Sequence, residues 1–229
     1  MSSSVPPLVR ARSLRPWYVM AALVLAVVLG LQGLVNGCGS TLILREGTMP
    51  NLATVAAQAE EAAQAEEAEP IQIQIQILFR LGDAAHLRSL AEHARVTFPL
   101  GVGRMLLGGL LCVAGFLALS GRRGSRTFLL QAVAANAVFV ALDYALTPAV
   151  RASWIGMMAQ ASSLLPGGLT EQERASMTDP RLLWMAQRFR FVVFGLGPLA
   201  LIALAITRAP ARLWFQAMAA ATRDDTEEP

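Results

Sequence analysis

The chain has 229 residues, 55% of them hydrophobic and only 15% charged. A water-soluble domain of this size carries about 25% charge, so the composition excludes an ordinary soluble fold and indicates an integral membrane protein. The net charge of +3 rests on 19 basic residues, all arginine, a bias that suggests a GC-rich bacterial genome; they form no aromatic-interleaved soluble patch, so no nucleic-acid partner is expected.

Residues 1–16 read as a basic tail carrying Arg10, Arg12 and Arg15. Residues 17–36, "WYVMAALVLAVVLGLQGLVN", form the first of four apolar stretches that meet the roughly 20-residue requirement for a membrane span. Small residues recur along it at Ala22, Ala26 and Gly30, then at Gly33 and Gly37, a pattern that lets helices approach closely in lipid. The stretch ends in "LVNGCGS", which resembles a bacterial lipoprotein signal with Cys38 as the modified residue. Val35 and Gly37 fit that pattern, but Asn36 does not, and the apolar run is long for a signal. The uncleaved span is therefore the primary expectation and Cys38 lipidation the secondary one.

Residues 37–99 follow as an extracytoplasmic segment with four arginines against eight acidic residues. Within it, 56–67 read "AAQAEEAAQAEE", a tandem six-residue duplication whose period fits no coiled-coil seam. Its composition is helical, with Asn51 as the expected cap and Pro70 ending the tract or opening the next element. Ile71, Ile73, Ile75 and Ile77 then alternate with glutamine. The alternation fits a strand, whereas the helical surroundings and the absence of a second strand fit a helix, so 71–78 has two readings. Asp83 is expected to cap a separate amphipathic helix over 84–96, which carries His86 and His93. Seven residues apart, the histidines lack the i, i+4 spacing of a metal pair; solvent exposure is the plain reading, and metal or pH sensing the weaker one.

Spans two and three are read at 100–119 and 127–146, joined by the short loop 120–126, "SGRRGSR". Span three repeats small residues at Ala137, Ala141 and Ala145 and carries Gln131, Asn136 and Asp143. Asn136 and Asp143 share a helix face, and Gln32 and Asn36 lie toward the same leaflet. These four residues make the candidate intramembrane polar cluster, with Arg151 or Arg104 as possible partners of Asp143. Residues 147–190 form a second external segment: a helix over 149–164, a Pro166–Gly168 turn, a Thr170/Glu173 capping box, and a helix from about 180 running into span four. Span four covers 191–207 and is punctuated by Gly195, Gly197 and Pro198, which favour a kink. Residues 208–229 read as a tail.

Arginines near the span ends place both termini and the 120–126 loop in the cytoplasm, although Arg188 and Arg190 argue the other way. The expected fold is therefore an all-α inner-membrane protein, four transmembrane helices with a small helical extracytoplasmic cap. None of the common nucleophile, zinc-protease, P-loop or dinucleotide motifs is present, and no cofactor or metal is indicated. The expected function is a non-enzymatic accessory or interaction subunit, with the bilayer and a membrane or envelope protein, or a second copy, as partners. A transport or proton-coupled role through Asp143 is the alternative, and a metal or pH sensor using His86 and His93 a weaker one.

Overall fold

The computed structural model describes residues 16–46, 51, 54–55, 57–58, 61, 70–122, 124–161 and 179–224. The N-terminal arginines, most of the Ala/Glu/Gln duplication, Arg123, and the Pro166–Gly168 turn with its capping box lie outside them. Among the described residues every regular element is helical and there is no strand. The principal helices are α1 (Trp17–Glu46), α2 (Pro70–Glu92), α3 (Ala94–Leu119), α4 (Ser125–Leu146), α5 (Pro148–Ala161), α6 (Pro180–Arg190), α7 (Gly197–Thr207) and α8 (Ala209–Asp224). Four are long and apolar enough to cross a membrane: Trp17–Arg45, Ala94–Leu119, Ser125–Leu146 and Pro180–Thr207.

The fourth of these is continuous because a π-helical turn, Phe191–Leu196, joins α6 to α7. Pro198 has no N–H to donate to the carbonyl four residues back and crowds it, so a wider turn before the proline keeps the chain helical. The expected irregularity at Gly195–Pro198 thus takes the form of a π turn. Asp179 caps this helix, its Oδ1 accepting from Arg181 N at 2.8 Å, with Pro180 in the first turn.

The chain divides into two compact units. The first comprises residues 1–38, 102–142 and 192–229. Its core draws on α1 (Val19, Ala22, Leu23, Ala26), α3 (Leu111, Ala114, Ala118), α4 (Leu129, Ala132, Val133), α7 (Leu199, Ile202, Ile206) and α8 (Ala211, Trp214, Phe215). Each set repeats at three- and four-residue spacing, so each helix buries one stripe. At most a third of each candidate span's most apolar window is buried (33%, 33%, 17% and 17%), and Val24, Val28, Leu106, Val113, Phe116, Val138, Leu201 and Leu204 face outward. Apolar surface on that scale suits hydrocarbon rather than water.

The second unit comprises 39–101 and 143–191. Here α2 settles the Ile/Gln question. It starts at Pro70 and runs unbroken to Glu92. Ile77, Leu81, Ala84, Ala85 and Ser89 are all buried, at spacings that define one helical stripe. A strand would need a ladder partner for its backbone, whereas a helix satisfies its own hydrogen bonds. The side chains of Ile71, Ile73 and Ile75 lie outside the described residues. The expectation of a separate helix capped by Asp83 is corrected: Asp83 is an exposed residue inside α2. The break falls instead at His93, where Thr97 Oγ1 donates to Leu90 O (2.8 Å) and His93 O (3.2 Å), so that α3 begins at Ala94, ahead of the expected start at 100.

Candidate functional site

Three places in the fold concentrate features that could carry function: the α1–α3 seam, the helices of the second unit, and the basic end of the first unit. The seam is built from glycine. A Cβ on Gly30 would stand 2.5 Å from Cys112 N and 2.7 Å from its Cα; one on Gly108 would stand 2.6 Å from Leu34 N and 2.8 Å from Gly30 O. Gly33 faces the Gly108 Cα, and Gly115 faces Val27. Backbone therefore meets backbone, which only glycine permits. The stripe of span one packs within the chain. Its counterpart, Gly108, Cys112 and Gly115, was missed in the sequence, although its i, i+4, i+7 spacing of small residues was visible there. The span-three stripe behaves differently, since Ala141 and Ala145 are exposed.

The four residues of the expected polar cluster occupy different environments. Gln32 and Asn36 are exposed on α1. Asn136 donates through Nδ2 to Leu107 O (3.0 Å) and Ala132 O (2.9 Å), so both amide hydrogens are engaged and one of them ties α4 to α3. Asp143 lies in the second unit, half-buried, and its backbone carbonyl accepts from the Thr147 hydroxyl. Cys38 is half-buried inside α1, which continues eight residues past it to Glu46, and Cys112 is buried at the seam; neither forms a disulfide.

In the second unit, Arg151 lies 3.8 Å from the centroid of the Tyr144 ring, and its Nη1 donates to Thr147 Oγ1 at 3.1 Å. Tyr144 also stacks on Phe191 at 4.1 Å, which leaves Arg151 the opposite face. The arrangement joins α4, α5 and the π turn by cation–π and ring stacking. Trp154 Nε1 donates to Gly82 O at 3.0 Å, and Glu92 accepts from Ser153 Oγ (2.7 Å) and Arg88 Nε (3.3 Å), fixing α5 to α2. Met158 of α5 is buried while Met185 of α6 is exposed. His86 is exposed, and His93 donates through Nδ1 to Ser89 O at 3.0 Å. Among the described residues no three His, Cys, Asp or Glu side chains come together as metal ligands would.

The basic end gathers the α3–α4 turn, the end of α7 and the start of α1. Pro210 cannot donate to Ile206 O, and Arg126 Nε takes that carbonyl at 3.3 Å. Arg212 Nε donates to Thr207 O at 3.0 Å, and Arg208 lies 5.7 Å from the Tyr18 ring centroid. The region read as a tail contains α8, an amphipathic helix whose Ala211, Trp214 and Phe215 enter the core. The 211, 214, 215, 218 spacing was the available signal. The turn itself uses Gly121 (φ 71°) and Gly124 (φ 78°), left-handed positions that favour glycine. A cleft of about 340 Å³ opens beside it, lined by Leu117, Arg122, Gly124, Ser125 and Phe128. Neither Ser125 nor Arg122 had been singled out as a site residue.

No protein-family model matches the chain, and neither a curated protein nor a solved structure shows significant similarity to it.

Proposed function

We propose that the chain is a multi-pass protein of the bacterial inner membrane that acts as a non-enzymatic accessory or interaction subunit. Both termini and the 120–126 loop are cytoplasmic in this reading, and α2, α5 and α6 form an external helical cap. The observation that carries it is the surface of the second unit. That unit has its own apolar core at Ile77, Leu81, Ala85, Val150, Ile155 and Met158, yet Phe79 (72% exposed), Leu182, Met185 and Phe189 stand outside it. Large apolar groups left outside a completed core favour association. The partner is another membrane or envelope protein, or a second copy of the chain. The first unit fits a structural role, because Ser125 is the one buried polar residue among its described residues and α1 meets α3 backbone to backbone.

Native mass spectrometry of the full chain, released gently from its own membrane, tests this. A stable complex, either homo-oligomeric or with a defined second protein, is the expected result. A mass equal to one chain, unchanged when Phe79 and Met185 are replaced by serine, would overturn it. The transport alternative depends on Asp143: in that case Asp143→Asn abolishes ion-coupled flux in vesicles while the fold survives.

A further inference from the structure

We infer that the cleft at the start of α4 binds a phosphate group, carried by a phospholipid headgroup or by a free phosphate. Two independent observations converge there. The first is the helix end itself. α4 is 22 residues long and begins at Ser125, beside the cleft. The first-turn amides of a helix lack intrahelical acceptors, and the helix dipole adds positive potential at that end. Two neighbouring amides are already engaged: Ser125 N donates to Arg122 O at 3.1 Å, and Phe128 N to Gly124 O at 3.1 Å. The amide of Arg126 has no acceptor four residues back within the helix.

The second observation is an orphaned hydroxyl. Ser125 is 4% exposed and lines the cleft, and among the described residues its Oγ has no hydrogen-bond partner. A buried hydroxyl without a partner is costly to keep, unless a ligand oxygen completes it.

Charge and size agree with these. Arg122 lines the same cleft and is exposed, so its guanidinium is available for the paired hydrogen bonds a phosphate accepts. The loop 120–126 contains three arginines and no acidic residue. Arg126 remains fixed on Ile206 O and contributes charge at a distance. Leu117 and Phe128 supply apolar walls, which suit the glycerol and first methylenes of a lipid as well as a shielded free anion. The inference concerns the first unit alone and stands apart from the subunit reading.

The test uses the full chain in a neutral detergent, with three probes: inorganic phosphate, phosphatidylglycerol, and phosphatidylcholine as the headgroup control. Saturable binding of phosphate or phosphatidylglycerol is followed by thermal unfolding and native mass spectrometry. The expected result is a concentration-dependent rise in Tm with one of them, reduced at least about tenfold in apparent affinity by Ser125→Ala and by Arg122→Gln. Without ligand, Ser125→Ala should melt at the same or a higher temperature than the parent, because it removes an unpartnered buried hydroxyl. Arg122→Gln alters an exposed side chain and keeps the test intact if Ser125→Ala misfolds. Binding of inorganic phosphate without preference for phosphatidylglycerol over phosphatidylcholine assigns the site to a soluble phosphate. Binding of phosphatidylglycerol alone assigns it to a headgroup. Failure of both, or binding unchanged in both variants, overturns the inference.

Discussion

Gly108→Ala isolates the contact on which the first unit turns. The new Cβ would lie 2.6 Å from Leu34 N, 2.8 Å from Gly30 O and 2.8 Å from Gly33 C. All three are backbone atoms of α1, so no side chain can rotate aside. Restoring an ordinary separation of about 3.4 Å requires the helices to part by about 0.8 Å locally, and a gap of that size forfeits roughly a quarter to a half of each dispersion contact. For a seam of about 40 heavy-atom pairs at ~0.1–0.2 kcal/mol each, the loss is about 1–4 kcal/mol. The preference of helix for alanine over glycine returns about 0.5–1 kcal/mol. A net destabilisation of about 0–3.5 kcal/mol follows, overlapping the range of overpacked cores. Gly39→Ala is the control on the same helix: a Cβ there meets nothing within 4 Å, so the same replacement should stabilise by about 0.5–1 kcal/mol. Unfolding in mixed micelles of rising SDS content, followed by circular dichroism, measures both, and maleimide labelling of Cys112 should accelerate only in Gly108→Ala. Equal stability of the two variants, with Cys112 still protected, would refute the reasoning.

Three other substitutions probe separate joints. Asn136→Leu removes the side-chain bond to Leu107 O and should cost about 0.6–1.7 kcal/mol in the same micelle titration, the range of interhelical hydrogen bonds in membranes. Trp154→Phe keeps the ring but deletes the donor to Gly82 O, at a cost of about 0.5–1.5 kcal/mol; hydrogen exchange should then quicken around Gly82 and leave the first unit's amides unchanged. Arg151→Lys keeps the charge yet loses the planar group over Tyr144 and should destabilise by about 0.5–2 kcal/mol, visible as a shift in tyrosine fluorescence and in Tm.

The four long apolar helices were legible because length and hydropathy are properties of contiguous sequence. Their bounds were less so. α3 begins at Ala94 because Thr97 stitches the turn at His93, a side-chain contact that no hydropathy window registers. The Ile/Gln alternation left helix and strand both open, since a period of two over so short a run does not by itself fix the element. Ile77 entered the core through its partners Leu81, Ala85 and Ser89, further along the chain.

Composition and local order alone determined the apolar character, the four long helices, the arginine-rich turn and the start of the fourth long helix at Pro180, because each depends on neighbours in sequence. Tertiary packing decided which small residues mattered. Gly30 and Gly108 meet across 78 positions, while the similar stripe at Ala141 and Ala145 faces outward. It also drew α8 out of an apparent tail into the core, committed the amide of Asn136 to α3, and left the Ser125 hydroxyl buried beside a cleft without a partner among the described residues. A stripe at helical spacing says that a face exists; which face of which helix lies opposite it is settled only when the helices pack.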